Sequence, residues 1–159
     1  MSDSVDTYPS VDLAYGLVPS SYQLLVSRFE AADNRITALL SVVMAVTMGV
    51  PLFAKSVVVA QTPTFDSPWF IAGLLAAVSA VTFGMIGRTA GSIPLVNPRI
   101  VYEEYLHKDH WTFKKDTIFR AGQHFEKNAR AIALKGTYAT VVMLAFLVEI
   151  GAFWAWLFA

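Results

Sequence analysis

Residues 137–159, with the sequence TYATVVMLAFLVEIGAFWAWLFA, contain a single charged side chain, Glu149. A helix needs about 20 predominantly apolar residues to cross the hydrocarbon layer of a bilayer. The core of a soluble protein rarely requires an unbroken apolar segment of this length. We therefore interpret residues 137–159 as a transmembrane helix, and the rest of the chain must be compatible with a membrane location.

Two earlier stretches have the same character. Residues 36–60 open with a charge-free run, contain Pro51, which should loosen a helix, and carry one charge, Lys55. Residues 69–87 contain no charge at all. The sequence thus predicts an all-α integral membrane protein with three transmembrane helices, over 36–60, 69–87 and 137–159.

The segment before the first span divides into two parts. Residues 1–19 are acidic and interrupted by prolines, so we expect a flexible acidic tail. This tail lacks the basic residues that begin a cleavable signal peptide. Ser20 and Gln23 have the spacing of a capping box, which predicts an amphipathic cytoplasmic helix over residues 20–35.

The longest polar segment, residues 88–136, lies between the second and third spans. Pro94 and Pro98 exclude a continuous helix over residues 91–98. Apolar residues at helical spacing predict a helix from about Thr112, which can continue into the third span despite Gly136. We interpret residues 88–136 as a cytoplasmic helical region.

The basic residues predict the topology. Eleven of the twelve precede the first span or lie between the second and third spans, and only Lys55 lies elsewhere. The positive-inside rule then places the N-terminus in the cytoplasm and the C-terminus outside, in a multi-pass protein of the inner (cytoplasmic) membrane. Trp69, Trp154 and Trp156 fall at the outer interface, where aromatic belts form.

Several kinds of chemistry find no support in the sequence. No nucleophile motif, glycine-rich phosphate loop or paired-carboxylate arrangement is visible, so we expect neither an enzyme nor a cofactor. Glu103, Glu104, His107 and His110 resemble part of a metal site, but too few ligands accompany them, and we expect no metal. The mixed charge of the region from Arg88 onward also argues against nucleic acid as a partner.

Charged and polar residues gather at the cytoplasmic ends of the first and third spans. Asp33 and Arg35 precede the first span, and Asn128, Arg130 and Lys135 precede the third. In a compact arrangement of three helices these ends would be close. We therefore expect an inner-mouth charge cluster that could also bind a ligand, with Asp33 paired to Arg130 or to Lys135.

Glu149 is the one intramembrane polar residue that needs an explanation. It lies roughly 18 Å along the helix from Thr137, near the middle of a hydrocarbon layer about 30 Å thick. A carboxyl group facing lipid at that depth is costly. Three alternatives remain: protonation with a hydrogen bond to Ser79, Thr82 or another polar group in the second span, a pair with Lys55, or a place in a polar pathway or partner interface.

Small residues four apart recur in all three spans, a spacing that lets helix backbones approach closely in lipid. They also occur simply because alanine and glycine are common in membrane helices. The pairs are Ala45 and Gly49, Gly73 and Ala77, Ala80 and Gly84, and Gly151 and Ala155. The spacing is compatible with packing inside the protein and with a homo-oligomer.

The two span entrances carry short motifs of the form A-x-D-x-[KR]-x-x-x-L-L and N-x-x-x-I-x-x-K. The residues are Ala31, Asp33, Arg35, Leu39 and Leu40, then Asn128, Ile132 and Lys135. From about Tyr22 onward, the chain resembles the Pycsar transmembrane effectors and the related SLATT group of bacterial anti-phage systems, although Arg35 stands where that family usually has lysine. The resemblance implies that a cytoplasmic cyclic-nucleotide signal triggers disruption of the membrane.

Two hypotheses for the function follow. The first is a non-enzymatic, signal-gated membrane effector that acts as a homo-oligomer, with the lipid bilayer and a cyclic-nucleotide ligand as partners. The second is an accessory or scaffold subunit of a larger respiratory or photosynthetic membrane complex, whose spans pack against partner subunits.

Overall fold

The computed structural model describes residues 10–57, 65–91, 103 and 107–158. These residues form three long helices, α1 (Val11–Val57), α2 (Pro68–Thr89) and α3 (His110–Phe158). Each helix contains an apolar window long enough to cross a membrane. Helices account for 93% of the structure, and the described residues contain no strand. The predicted all-α class with three spans is confirmed, and the protein is a multi-pass membrane protein.

The start of α1 corrects the prediction of a flexible tail over residues 1–19. The helix begins at Val11, and Ser20 lies in its interior instead of capping its first turn. The prediction is wrong for residues 11–19, while residues 1–9 lie outside the described part. Contacts with α3 favour helix here: Asp12 pairs with Lys114 at 2.5 Å, and the ring of Tyr15 lies 6.3 Å from that of Phe113.

Asp109 determines where α3 begins. Its Oδ1 accepts hydrogen bonds from the backbone N–H groups of Trp111 (3.1 Å) and Thr112 (3.0 Å), the pattern of an N-cap. The helix therefore begins at His110, slightly before the predicted start at Thr112. It then runs without interruption through Gly136 to Phe158, as the sequence pattern allows.

The protein consists of two compact units. The first comprises Met1–Glu30 and Gly91–Ile132, and the second comprises Ala31–Ala90 and Ala133–Ala159. Helices α1 and α3 each contribute residues to both units, whereas α2 belongs to the second unit alone. Gly91 follows α2 with a φ of +80°, a conformation that glycine adopts without strain. It is the first residue of the predicted break over residues 91–98, and the remaining residues of that break lie outside the described part.

Small residues make the buried face of α2 in the second unit. They are Gly73, Ala76, Ala77, Ala80, Gly84 and Gly87. Large side chains of the other two helices pack directly against this face. A Cβ atom added to Gly73, Gly84 or Gly87 would collide with Phe153, Leu40 or Tyr138, respectively. Close packing of helices in lipid depends on such surfaces, since no hydrophobic effect drives the spans together there.

Aromatic residues close one end of the second unit. Phe70 of α2 lies 5.0 Å from Trp156 and 5.9 Å from Phe153, measured between ring centroids. Trp156 is buried in this cluster, whereas Trp69 and Trp154 are exposed. The three tryptophans predicted for the interface thus divide into one packing residue and two exposed ones.

The outward faces of the helices in the second unit are strongly apolar. Water would penalise so many large exposed apolar side chains, whereas lipid tails would not. Examples are Met48, Leu52, Phe53, Leu75, Val78, Met85, Leu144, Leu147 and Val148. The small residues Ala45, Gly49 and Gly151 lie on these outward faces, so they do not contribute to packing between the three spans.

Two glycine-to-alanine substitutions test the packing of α2. A Cβ at Gly87 would lie 2.7 Å from the Cβ of Tyr138, an atom fixed to the backbone of α3, so Gly87→Ala should lower stability by about 1–3 kcal/mol through overpacking. Gly151 has open space around it, so Gly151→Ala should leave stability unchanged or raised. The melting temperatures of the detergent-purified variants measure both effects. Equal melting temperatures would contradict the close approach of α2 and α3.

Candidate functional site

Two hydrogen bonds fix the register of α1 against α3 in the second unit. Asp33 bonds to Lys135 and Thr47 bonds to Glu149, and the partners of each bond are 102 residues apart in the chain. Because the second pair lies fourteen residues beyond the first on both helices, α1 and α3 run parallel in constant register. Fourteen residues are two heptads, the repeat of a left-handed helix pair. We call these four residues the polar seam.

Lys135 is the buried cation of the polar seam. Its side chain is fully buried, and its ammonium group donates to Asp33 Oδ1 at 2.5 Å and to the carbonyl oxygen of Arg88 at 3.1 Å. Arg88 lies in the last turn of α2, where carbonyl groups lack helical partners and the helix dipole favours a cation. One ammonium group therefore connects all three helices.

The environment of Lys135 makes its partners essential. Removing one partner of a buried ion pair leaves an uncompensated charge and costs about 3–5 kcal/mol. Replacing both partners by apolar residues of similar volume is often neutral or stabilising. The pair therefore makes the assembly of the three helices conditional on a charge, which plain apolar packing would not do.

Glu149 is the second buried ionisable group of the polar seam. Its side chain is fully buried, its Oε1 lies 2.6 Å from Thr47 Oγ1, and within the described structure its Oε2 is buried without a hydrogen-bond partner. The predicted partners Ser79 and Thr82 are wrong. Both are exposed and donate to carbonyl groups of their own helix. The side chain of Lys55 lies outside the described part.

The first unit contains a buried amide, Asn128, that makes no hydrogen bond within the described part of the chain. Asn128 is 1% exposed, and neither its Nδ2 nor its Oδ1 has a partner among the described residues. Asp12 and Lys114 of this unit are also 102 residues apart, and the same offset places the apolar Val26 level with Asn128 on α1. The residue of α1 at that level therefore offers no hydrogen-bonding group to the amide.

His124 lies one helical turn before Asn128 on the same face of α3. Its Nδ1 is also buried without a hydrogen-bond partner in the described structure. Each unsatisfied buried polar group costs about 1–3 kcal/mol. Two neighbouring groups of this kind give the first unit an unused capacity to donate and accept hydrogen bonds.

The remaining members of the predicted charge cluster do not share this environment. Arg35 and Arg130 are exposed. Of the two partners considered for Asp33, the structure gives Lys135. Asn128 belongs to the first unit and Lys135 to the second, so the predicted residues are divided between them.

The acidic residues near the start of α3 have local partners. Lys108 and Asp116 form an ion pair at 2.5 Å. Hydrogen bonds from the side chain and backbone of Thr112 hold the pKa of Asp109 below its ordinary value. The stabilisation by this cap is therefore present at neutral pH and is lost as the pH falls through the lowered pKa.

Among the described residues, no group of three or more histidines and acids could hold a metal ion.

The chain has no recognisable match among protein-family models, curated proteins or solved structures. Function must therefore be inferred from the polar seam and from the buried amide of the first unit.

Substitutions of Asp33 and Lys135 test the ion pair between the half-buried carboxylate and the fully buried ammonium group. Asp33→Asn should lower stability by about 3–5 kcal/mol, because it leaves the ammonium group buried without its counter-charge. The double variant Asp33→Leu/Lys135→Met removes both charges and should recover most of the loss. Thermal or denaturant unfolding in detergent measures the coupling, and Arg35→Gln is the matched control at an exposed neighbour. A double variant that is no more stable than Asp33→Asn would refute the pair.

Proposed function

We propose that the protein is a non-enzymatic, signal-gated effector that permeabilises the inner membrane, of the kind used in anti-phage defence. In this proposal, a cytoplasmic cyclic nucleotide binds to the first unit, and the polar seam of the second unit opens in response. The observation that carries the proposal is the fully buried Lys135, bonded to Asp33 of α1 and to the end of α2.

The chemistry of this contact suits a two-state device. Apolar packing in lipid would hold three helices together without buried charges, and would have no state that water could stabilise. An ammonium–carboxylate pair is different, because water solvates both groups once they separate. A modest shift of α1 against α3 would therefore exchange a dry, closed bundle for a hydrated one.

The buried Asn128 supports a ligand in the first unit. An amide offers one donor group and one acceptor in fixed geometry, and a nucleobase edge presents the complementary pattern. A bound ligand of this kind would satisfy both atoms of Asn128 and, next to it, Nδ1 of His124. Because α1 and α3 each contribute residues to both units, a shift of either helix on ligand binding would move residues of the polar seam.

The second hypothesis, an accessory subunit of a larger membrane complex, is favoured by a different observation. Ala45, Gly49 and Gly151 are exposed, and a Cβ at either glycine would meet no atom within 4 Å. Helices of partner subunits or of further copies of this chain could approach closely there. The two hypotheses differ in what the isolated protein does to a membrane.

Vesicle leakage distinguishes the two hypotheses. The purified chain is reconstituted into phosphatidylethanolamine–phosphatidylglycerol vesicles loaded with a self-quenching dye, and cyclic AMP, GMP, CMP and UMP are added in turn. We expect leakage with at least one of them. Asp33→Asn should leak without any nucleotide, because the closed bundle loses its charge pair, whereas Arg35→Gln should behave like the parent.

Asn128→Leu separates signal binding from opening. It should remove the unsatisfied amide, keep the vesicles sealed and abolish the response to nucleotide, while Asp33→Asn combined with Asn128→Leu should still leak. Vesicles that stay sealed with the parent protein under every nucleotide, and with Asp33→Asn as well, would overturn the effector proposal and favour the subunit.

The proposed orientation has its own test. With the N-terminus and the region around His110 in the cytoplasm, a reporter active only in the periplasm should be active when fused after Ala159 and inactive when fused at His110. The reason is the eleven-to-one distribution of basic residues. Periplasmic activity of the His110 fusion would show that the orientation is wrong.

A further inference from the structure

The hydroxyl group of Thr47 has two oxygen neighbours but only one hydrogen. Its Oγ1 lies 2.8 Å from the carbonyl oxygen of Val43 and 2.6 Å from Oε1 of Glu149. Both distances are those of O–H···O hydrogen bonds. A carbonyl oxygen can only accept, and an ionised carboxylate can also only accept. Two hydrogen bonds therefore require a second hydrogen, which must come from Glu149.

The other hydroxyl groups of these helices show where the hydrogen of Thr47 points. Serines and threonines along the spans donate to the carbonyl group one turn earlier in their own helix, a common arrangement for these residues. Examples are Thr37, Ser41, Ser79, Thr82, Thr137 and Thr140. Thr47 has the same geometry toward Val43, so its Oγ1 lone pair is free to accept from Glu149.

We propose that Thr47 and Glu149 form an intramembrane proton-binding site, in which Glu149 is a neutral acid that donates a hydrogen bond from Oε1 to the Thr47 hydroxyl oxygen. The unpartnered Oε2 is then the carbonyl oxygen of a neutral acid. An ionised Glu149 would instead leave an anionic oxygen buried without any donor, which is far more costly.

Among the described side chains of the spans, none carries a charge that could stabilise an ionised Glu149. Residues 36–54 of α1 contain no charged residue, the side chain of Lys55 lies outside the described part, and the one charge of α2 is Arg88 in its last turn. On α3 the buried residues within two turns of Glu149 are apolar, namely Val142, Ala152, Phe153 and Trp156, and three of them belong to apolar clusters with α1 and α2. Tyr138, the other titratable residue of this part of α3, packs near Gly87 toward the opposite end of α2.

Protonation of Glu149 is also linked to opening of the helix bundle, and this link rests on the proposed function. A state in which water reaches Glu149 favours the carboxylate, so it binds fewer protons than the dry, closed state. By linkage, acid then favours the closed state, and opening releases a proton. The proton site itself does not depend on this consequence.

Infrared spectroscopy of the full chain in lipid membranes at neutral pH tests the protonation of Glu149. A protonated carboxyl group has a carbonyl stretch above the amide bands, which moves to lower wavenumber in D₂O. We expect this band in the parent and its loss in Glu149→Gln, which keeps the shape and hydrogen bonding of the side chain. Glu126→Gln, at an exposed acid on the same helix, should leave the band in place.

Thr47→Val provides a second test that does not depend on the folding of the Glu149 variant. It removes the hydroxyl acceptor at similar volume, so the acid band should persist and move to higher wavenumber. An unchanged band in Thr47→Val would overturn the proposed hydrogen bond. Loss of a carboxylate band, instead of the acid band, in Glu149→Gln would overturn the proposed protonation. Neither infrared result depends on whether the protein makes vesicles leak.

Discussion

The structure of the second unit depends on one ammonium group. Lys135 is fully buried, and its bonds to Asp33 and to the Arg88 carbonyl connect α3 to both other helices. Apolar contacts in lipid are weakly directional, so they do not by themselves fix the axial position of one helix against another. The charged pair does, because a displacement of α1 by one turn, about 5.4 Å, would separate the ammonium from the carboxylate.

The second helix fits this arrangement because its inner face is almost without side chains. Gly73, Gly84 and Gly87 leave room for Phe153, Leu40 and Tyr138, so large residues of α1 and α3 pack against the backbone of α2. The carbonyl end of α2 then comes within hydrogen-bonding distance of Lys135. Small residues and the buried charge thus act together, since a bulkier α2 would hold its last turn away from the ammonium.

Hydropathy correctly predicted three helices long and apolar enough to span a membrane, but side-chain partners were harder to predict. Charge-free runs of suitable length identify a span regardless of its neighbours, because every backbone polar group in lipid must be satisfied within the helix. The helix at residues 11–19 was missed, since Pro19 obscured it and its contacts with Lys114 and Phe113 come from a distant part of the chain.

For Glu149 the sequence left three alternatives open, and Thr47 of α1, the partner in the structure, was not among them. A signal for the correct assignment exists in the sequence. Asn128, Lys135 and Glu149 lie at multiples of seven residues, as do Asp33 and Thr47 on α1. Hydropathy does not reveal which helix supplies the partner, because that depends on register, and register became visible only through the common offset of 102 residues.

The polar residues along α3 differ in how fully their hydrogen-bonding capacity is used. Lys135 has a carboxylate and a carbonyl group, Glu149 has one hydroxyl for two oxygens, and Asn128 of the first unit has neither donor nor acceptor among the described residues. A purely structural network would satisfy its buried groups, because each unsatisfied one weakens the fold. Asn128 therefore lacks the largest share of its possible hydrogen bonds, so a ligand would stabilise the protein most there. Lys135 lacks the smallest share, and any rearrangement there must first break a charge pair. In the proposed function, this order fits sensing by the amide and resistance to opening by the ammonium.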